Sequence, residues 1–262
     1  MYNYILLSNK KINYINLLLK IKRLLPKHLN CIPDKTAISI FNTIKKTNSK
    51  FYMLETGCGV STIAMFLAAI HNKKKFYTFE QSQEKISIIK QIINETISEP
   101  LKLNISDYWT PIPTNSLCHY TGINSLTELK NKFDFAFFDS AHTREHLINE
   151  VDLYSKLAPN IFYIGLDDGH MNYKYVNIDY INLIRKKVGL KNIILKDNKC
   201  KKLYLELKQK LLIDFKNVKM IDMLNKKKLQ KDAYFDYYKD LVYKPNENIK
   251  EYITCFFRVK KN

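Results

Sequence analysis

The sequence predicts an α/β fold built on a mostly parallel sheet buried on both faces. Three observations carry that expectation. From residue 51 onward, short apolar runs alternate with helical stretches, the pattern of parallel βαβ units with right-handed crossovers. The runs FDFAFFD (133–139) and IFYIGLD (161–167) are continuously apolar, as strands covered on both faces are. The segment LETGCGVST (54–62) places two glycines between a strand and a helix, where open α/β sheets bind ligands.

The elements follow in order. Residues 13–25 set apolar and basic positions at helical spacing, and Pro26 ends that helix. Residues 34–47 predict a second helix with Asp34 as its N-cap. Together they make an N-terminal helical extension (1–50), read as a lid or packing unit on the main domain. FYMLE (51–55) is the first strand and 61–70 an apolar helix. KFYTFE (75–80) is the second strand, followed by a helix over 83–96. LKLNIS (101–106) is expected as the third strand and 133–139 as the fourth. Residues 143–157 form an amphipathic helix with Leu147, Val151 and Tyr154 on one face, and 161–167 is the fifth strand. A helix is expected over 180–188. NIILKD (192–197) and KKLYLEL (201–207) predict a β-hairpin around Asn198, Lys199 and Cys200. The core domain is thus placed at 51–207. Residues 208–262 are a basic, aromatic extension with a final strand at YITCFFRV.

With 262 residues, 46% hydrophobic, the chain can bury a large core without staples. An aromatic content of 13% excludes disorder as a description of most of it. The five cysteines are odd in number and scattered, with no C-x-x-C pair. That argues against a disulfide framework or zinc ribbon and for reduced thiols in a cytoplasmic protein. The N-terminus lacks a continuous apolar signal region, and no run approaches the ~18 apolar residues of a spanning helix.

Charge is distributed unevenly. The net charge is +18. Residues 1–50 are net +9, residues 51–170 net −4 and residues 171–262 net +13. Uniform compositional bias does not produce that segregation. A basic excess suits nucleic acid, an anionic surface or an acidic substrate.

The chemistry concentrates in the acidic middle. Gly57 and Gly59 permit a tight turn and close backbone approach to a ligand. Ser61 lies in the first turn of the next helix, whose free N–H groups favour an anion. A third fingerprint glycine is absent, Thr62 standing there, and no G-K-[ST] follows, so neither a dinucleotide nor a P-loop reading fits well. Glu80 ends the second strand, 21 residues past Gly59, at the spacing of a ribose-binding acid.

These motifs resemble class I S-adenosylmethionine-dependent methyltransferases: E-x-G-x-G-x-S/T after strand one, an acid ending strand two, Ser106-Asp107 after strand three, and FDFAFFDSAHT at strand four. D-x-x-H after strand four and Asp-Asp after strand five look like the small-molecule O-methyltransferase branch. The resemblance implies a Rossmann-like three-layer fold with a seven-stranded sheet of order 3-2-1-4-5-7-6, its last strand antiparallel. It implies that Glu55, Gly57 and Gly59 hold the methionine part of S-adenosylmethionine, Glu80 the ribose, and Asp107 the adenine edge. Two departures stand out: Asn160-Ile161 replaces the usual glycine pair, and Ser140 replaces one acid after Asp139.

Asp139, Asp167 and Asp168 leave the carboxyl ends of neighbouring strands. Converging carboxylates suit a hard divalent cation such as Mg²⁺, which would activate an acceptor hydroxyl. The alternative is that Asp139 orients a ligand and the Asp pair caps a helix. His142 is the candidate general base, with His170 second; His146 is read as packing or solvated. The reading is a methyltransferase acting on a hydroxyl of a small molecule or glycan precursor. Methyl transfer to RNA or another polyanion is one alternative, and a non-catalytic cofactor-binding partner another. A homo-oligomer is compatible with either.

Overall fold

The computed structural model describes residues 12–47, 50–169, 202–215, 217–229 and 253–261, with Lys186, Gly189 and Lys191. Helices α1 (Tyr14–Lys22) and α2 (Asp34–Ile44) precede β1 (Tyr52–Thr56), α3 (Val60–Asn72), β2 (Phe76–Phe79) and α4 (Gln83–Ile93). Then come β3 (Trp109–Ile112), β4 (Phe133–Phe138), α5 (Arg144–Leu157) and β5 (Ile161–Leu166). Helix α6 (Leu203–Asp214), β6 (Asn217–Asn225), the short α7 (Lys226–Leu229) and β7 (Ile253–Lys260) complete the described elements.

The seven strands form one sheet of order β3-β2-β1-β4-β5-β7-β6. Strands β1 to β5 pair in parallel, and β7 runs antiparallel to both β5 and β6. This is the topology that the resemblance implies. Strand β4 is buried at every position, because helices cover both of its faces. One apolar cluster joins Met53, Phe135, Phe137 and Phe256 to α1, α2 and α3. The other joins Phe138, Phe162, Ile164 and Phe257 to α5 and α6. The N-terminal helices therefore pack into the core on one face of the sheet. Their hairpin is closed by polar groups: fully buried Lys22 meets Asp34 at 3.1 Å, and Arg23 holds the same carboxylate at 2.9 Å. Asp34 is the first residue of α2 rather than its N-cap, which is Pro33.

Two expectations are corrected. The third strand is not 101–106. Helix α4 continues through a π-turn (Asn94–Ser98) and a helical turn (Glu99–Leu101), and a 3-10 turn (Ile105–Asp107) leads into β3. The Leu-Leu-Ile alternation there is a helix exit. The true strand, WTPI, carries Pro111, which demotes a strand reading. It is tolerated because β3 is the sheet edge, pairing only with β2.

The core does not close at residue 207. Residues 203–207 are helix, not strand: Leu203, Leu207 and Leu211 are buried on one face of α6, while Leu205 is 40% exposed. Spacing of four, not two, governs that segment. Strands six and seven come from the segment read as an extension, and β7 inserts between β5 and β6. The final strand expected at YITCFFRV is β7. The 192–197 strand, the aromatic stretch at 232–244 and all but Lys186 of the 180–188 helix lie outside the described residues.

At the amino end of the sheet, buried Lys74 meets Asp134 of β4 and Thr47, both at 2.6 Å. Desolvation pulls the Lys74 ammonium below its usual range. Asp134→Ala is expected to cost about 3–5 kcal/mol, the penalty for a buried charge deprived of its partner. The double variant Lys74→Met, Asp134→Leu should recover most of that loss. Denaturant melts of the three proteins check this.

Candidate active site

A cleft opens at the carboxyl ends of β1, β2 and β4, between β1 and β4, where the strand order reverses direction. Ligands in open α/β sheets bind at that switch point. The cleft holds about 790 Å³ of space, its open mouth included. Gly57, Gly59, Ser61, Glu80, Asp139 and His142 all line it. All six are candidate site residues of the sequence.

The glycines are required by geometry. Gly57 has φ +83, and a Cβ there would lie 1.9 Å from the Asp139 carbonyl oxygen. A side chain at Gly59 would meet the Leu29 carbonyl at 2.9 Å. The first contact welds the β1 turn to the β4 turn. The second lets the segment after α1 close over the glycine turn, so that His28, Leu29, Cys31 and Ile32 form one cleft wall.

Glu80 accepts from the Cys58 N–H at 3.1 Å and the Ser82 N–H at 2.8 Å. Lys85 stands 3.7 Å away. The carboxylate thus rests on the glycine turn at the end of β2 and lines the cleft. Glu55 stands one layer behind. It is fully buried and accepts from Thr62 at 2.9 Å and Thr78 at 2.7 Å. Thr62 accepts from the Gly59 N–H at 3.1 Å, and the Trp109 indole donates to Thr78 at 2.9 Å. Glu55 holds the turn from beneath rather than lining the cleft. Burial pushes its carboxyl up to about 8.

Asp107 is not brought to the cleft. It lies exposed in the turn before β3, since the strand it was expected to end is elsewhere. The loop after the true β3 supplies Thr114, Asn115 and Ser116 to the wall instead.

The predicted Asp139, Asp167 and Asp168 set is rearranged. Asp139, His142 and Asp168 converge, with one ligating atom from each within 4.8 Å of the others. Asp167 turns away and accepts from Thr254 of β7 at 3.0 Å. Adjacent residues at a strand end point to opposite faces, so only one of the pair could face the cleft. His170 lies outside the described residues. His142 takes the left-handed region, φ +49. Its Nδ1 is bonded to Asp168 and lies 3.8 Å from Asp139. The Asp168 hydrogen bond raises the imidazole to about 9, while burial and the Asp168 charge raise the Asp139 carboxyl to about 7. In the chain alone His142 is a donor to Asp168 at neutral pH, not a poised base. Burial raises the Cys31 thiol to about 11 and the Cys58 thiol further still, so neither is an activated nucleophile.

One group escaped the sequence reading. Glu150 of α5, fully buried, accepts from Ser140 at 2.8 Å, Thr56 at 3.1 Å and Ser116. His146 lies 3.2 Å from it and 3.0 Å from Ser116. Ser116, Ser140 and His146 all line the cleft, so Glu150 fixes a wall of it. Its signal was present: Glu150 interrupts the stripe Leu147, Val151, Tyr154, and a charge at a core position needs partners.

With this geometry, comparison with known proteins is decisive at the level of the domain. Residues 54–169 match the sequence model of a methyltransferase domain family. This segment is a methyltransferase domain. It covers β1 to the end of β5, which is the part of the chain that builds the cleft. Among solved structures, the chain is similar to an O-methyltransferase from Bacillus cereus in complex with SAH. Identity is 16%, coverage 98% of this chain and 94% of that one, and the TM-score 0.54. It is also similar to the SAH-bound Podospora anserina methyltransferase PaMTH1, at 12% identity, 96% and 89% coverage and TM-score 0.50. A geranyl diphosphate methyltransferase in complex with SAM matches at 11% identity, 87% and 85% coverage and TM-score 0.50. Likeness at such identities shows the fold. No curated protein matches the chain in sequence.

Glu55 makes the stability of the fold fall as pH rises from about 4.5 to about 8. Its folded carboxyl titrates at about 8 against an ordinary 4.5. The stability it contributes is complete below the ordinary value and is lost as pH rises through about 8, at roughly 1.4 kcal/mol per pH unit. Glu55→Gln should flatten the pH dependence of the melting temperature across that window. An unchanged slope in the variant would refute the assignment.

Proposed function

We propose that this protein transfers a methyl group from S-adenosylmethionine to a hydroxyl of a small molecule, with a divalent cation at the acceptor. The observation that carries this reading is the juxtaposition of the glycine turn and the Asp139–His142–Asp168 cluster across a single peptide contact, Gly57 against Asp139.

The residues present fit the cofactor. The glycine turn leaves a cradle that a Cβ would fill, Glu80 presents a carboxylate to ribose hydroxyls, and Ser61 with the α3 N-terminus faces an anionic group. S-adenosylmethionine supplies an electrophilic methyl on a sulfonium, so the protein needs no nucleophile of its own. The chain's task is alignment and exclusion of water. The segment 28–32 contributes by walling the cleft above the glycine turn.

The acidic cluster fits a cation. Two carboxylates and an imidazole within 4.8 Å offer oxygen and nitrogen donors. Such an ion would supply the charge that lowers an acceptor hydroxyl's pKa. Asp139 and Asp168 would hold it, and His142 would complete the set once the ion displaces its proton. Asp167 supports the turn through Thr254 and Thr36, whose hydroxyls lie 3.1 Å apart.

Isothermal titration separates the two parts of the proposal. Gly57→Ala should abolish measurable S-adenosylmethionine binding, since the turn must break to relieve a 1.9 Å overlap; retained affinity would refute the cofactor site. Asp168→Asn should weaken Mn²⁺ or Mg²⁺ binding by at least about tenfold, a factor typical of losing a charged interaction, while leaving S-adenosylmethionine affinity near that of the parent. Methyl transfer to a panel of catechols, phenols and sugars should fall with chelator. Turnover indifferent to both chelator and Asp168→Asn would remove the metal from the reading.

A further inference from the structure

At the opposite end of the sheet, four cations from the two basic flanks of the sequence come together. Strands β5, β7 and β6 align Tyr163, Arg258 and Lys219 in one row, and Ile161, Lys260 and Asn217 in the next. Residues in register share a face, and rows two residues apart share it again. This corner therefore presents Lys219, Arg258 and Lys260 side by side. Arg258 and Ile161 line two adjoining hollows, one reaching Lys219 and Lys260, the other reaching Lys46 and Tyr163. The two hollows meet at Ile161 and Arg258 and together are lined by four cations.

Among the described residues none of the four forms an ion pair. Lys85, Arg144, Lys210 and Lys228 each face a carboxylate. Among the described residues, the one acid lining the groove, Asp134, is held by Lys74 at 2.6 Å. Lys46 comes from the N-terminal flank and the other three from the C-terminal flank, the two stretches that hold the whole positive excess.

We propose that this groove binds the phosphate backbone of single-stranded nucleic acid. A row of cations on neighbouring strands suits a flexible chain of phosphates, and Tyr163, which lines the groove, offers an aromatic ring. Arg258 is half-buried within the groove. A bilayer surface cannot follow it there, whereas a polymer strand can enter. From Ile161 to Leu166, β5 runs about 16 Å, so the groove lies away from the cleft and on a different face of chemistry. The bound strand is a tether or partner, not the methyl acceptor.

Fluorescence anisotropy of a labelled oligouridylate tests this on the full chain across a salt series. The triple variant Lys219→Gln, Arg258→Gln, Lys260→Gln should lower affinity and reduce the slope of log K against log salt by about 2, near 0.7 per lost contact. S-adenosylmethionine binding should be unchanged, which also reports folding. A control of equal charge change, Lys90→Gln, Lys102→Gln, Lys156→Gln, should retain most of the affinity and slope. If Arg258→Gln impairs folding, the double variant at exposed Lys219 and Lys260 should still reduce the slope by about 1.4. No binding at low salt, an unchanged slope in the groove variant, equal loss in the control, or preference for phosphatidylserine vesicles over the oligonucleotide would each overturn the proposal.

Discussion

Glu55 lies at the end of β1 with its carboxyl sealed from water, and the cleft depends on what it holds. Through Thr78 it reaches β2 and the Trp109 indole of β3; through Thr62 it reaches α3 and the Gly59 amide. One buried acid thus ties three strands, a helix start and the glycine turn into a single polar network. In low dielectric such a network is strong when satisfied and costly when broken. It explains how a turn made of glycine, which loses the most entropy on ordering, is held in a single conformation. The carboxyl at the centre favours its proton because burial disfavours the charge, and the turn inherits that preference.

A second buried acid does the same for the other wall. Glu150 gathers hydroxyls from β1, the loop after β3 and the turn after β4. The cleft is thus gripped from two sides by carboxylates that do not line it. Those that do line it have different tasks: Glu80 faces the mouth with Lys85 nearby, and Asp139 lies against Asp168 and His142. The net negative charge of residues 51–170 follows from this division of labour. Part of the positive excess, Lys46, Lys219, Arg258 and Lys260, is placed on a sheet corner at the other end of β5 from the cleft.

Most of the parallel core was legible because its signals are local. Continuous apolar runs mark β4 and β5, and a glycine pair between β1 and α3 marks the site. The misreadings have a common cause. LKLNIS and KKLYLEL both show alternation over six or seven residues, which a helix exit or a leucine stripe of spacing four also displays. In so short a window period two and period four overlap. β3 was hidden by Pro111, allowed only because nothing pairs on its outer side. β7 was recognised as a strand, yet its place between β5 and β6 could not be read, since long-range pairing leaves no local mark.

The sequence alone determined the class of fold, the order of its first two strands, the glycine turn, and the residues Gly57, Gly59, Ser61, Glu80, Asp139 and His142 that line one cleft. These follow from periodicity and from backbone demands that only certain residue types meet. Tertiary structure decided which acid of the Asp167-Asp168 pair joins Asp139 and His142, because strand pleating and the Thr254 hydroxyl of β7 set side-chain direction. It decided that Glu55 and Glu150 support the cleft from behind. It also moved the boundary of the core from residue 207 to the last strand of the chain. That strand, far away in sequence, is the only described segment that satisfies the open edge of β5.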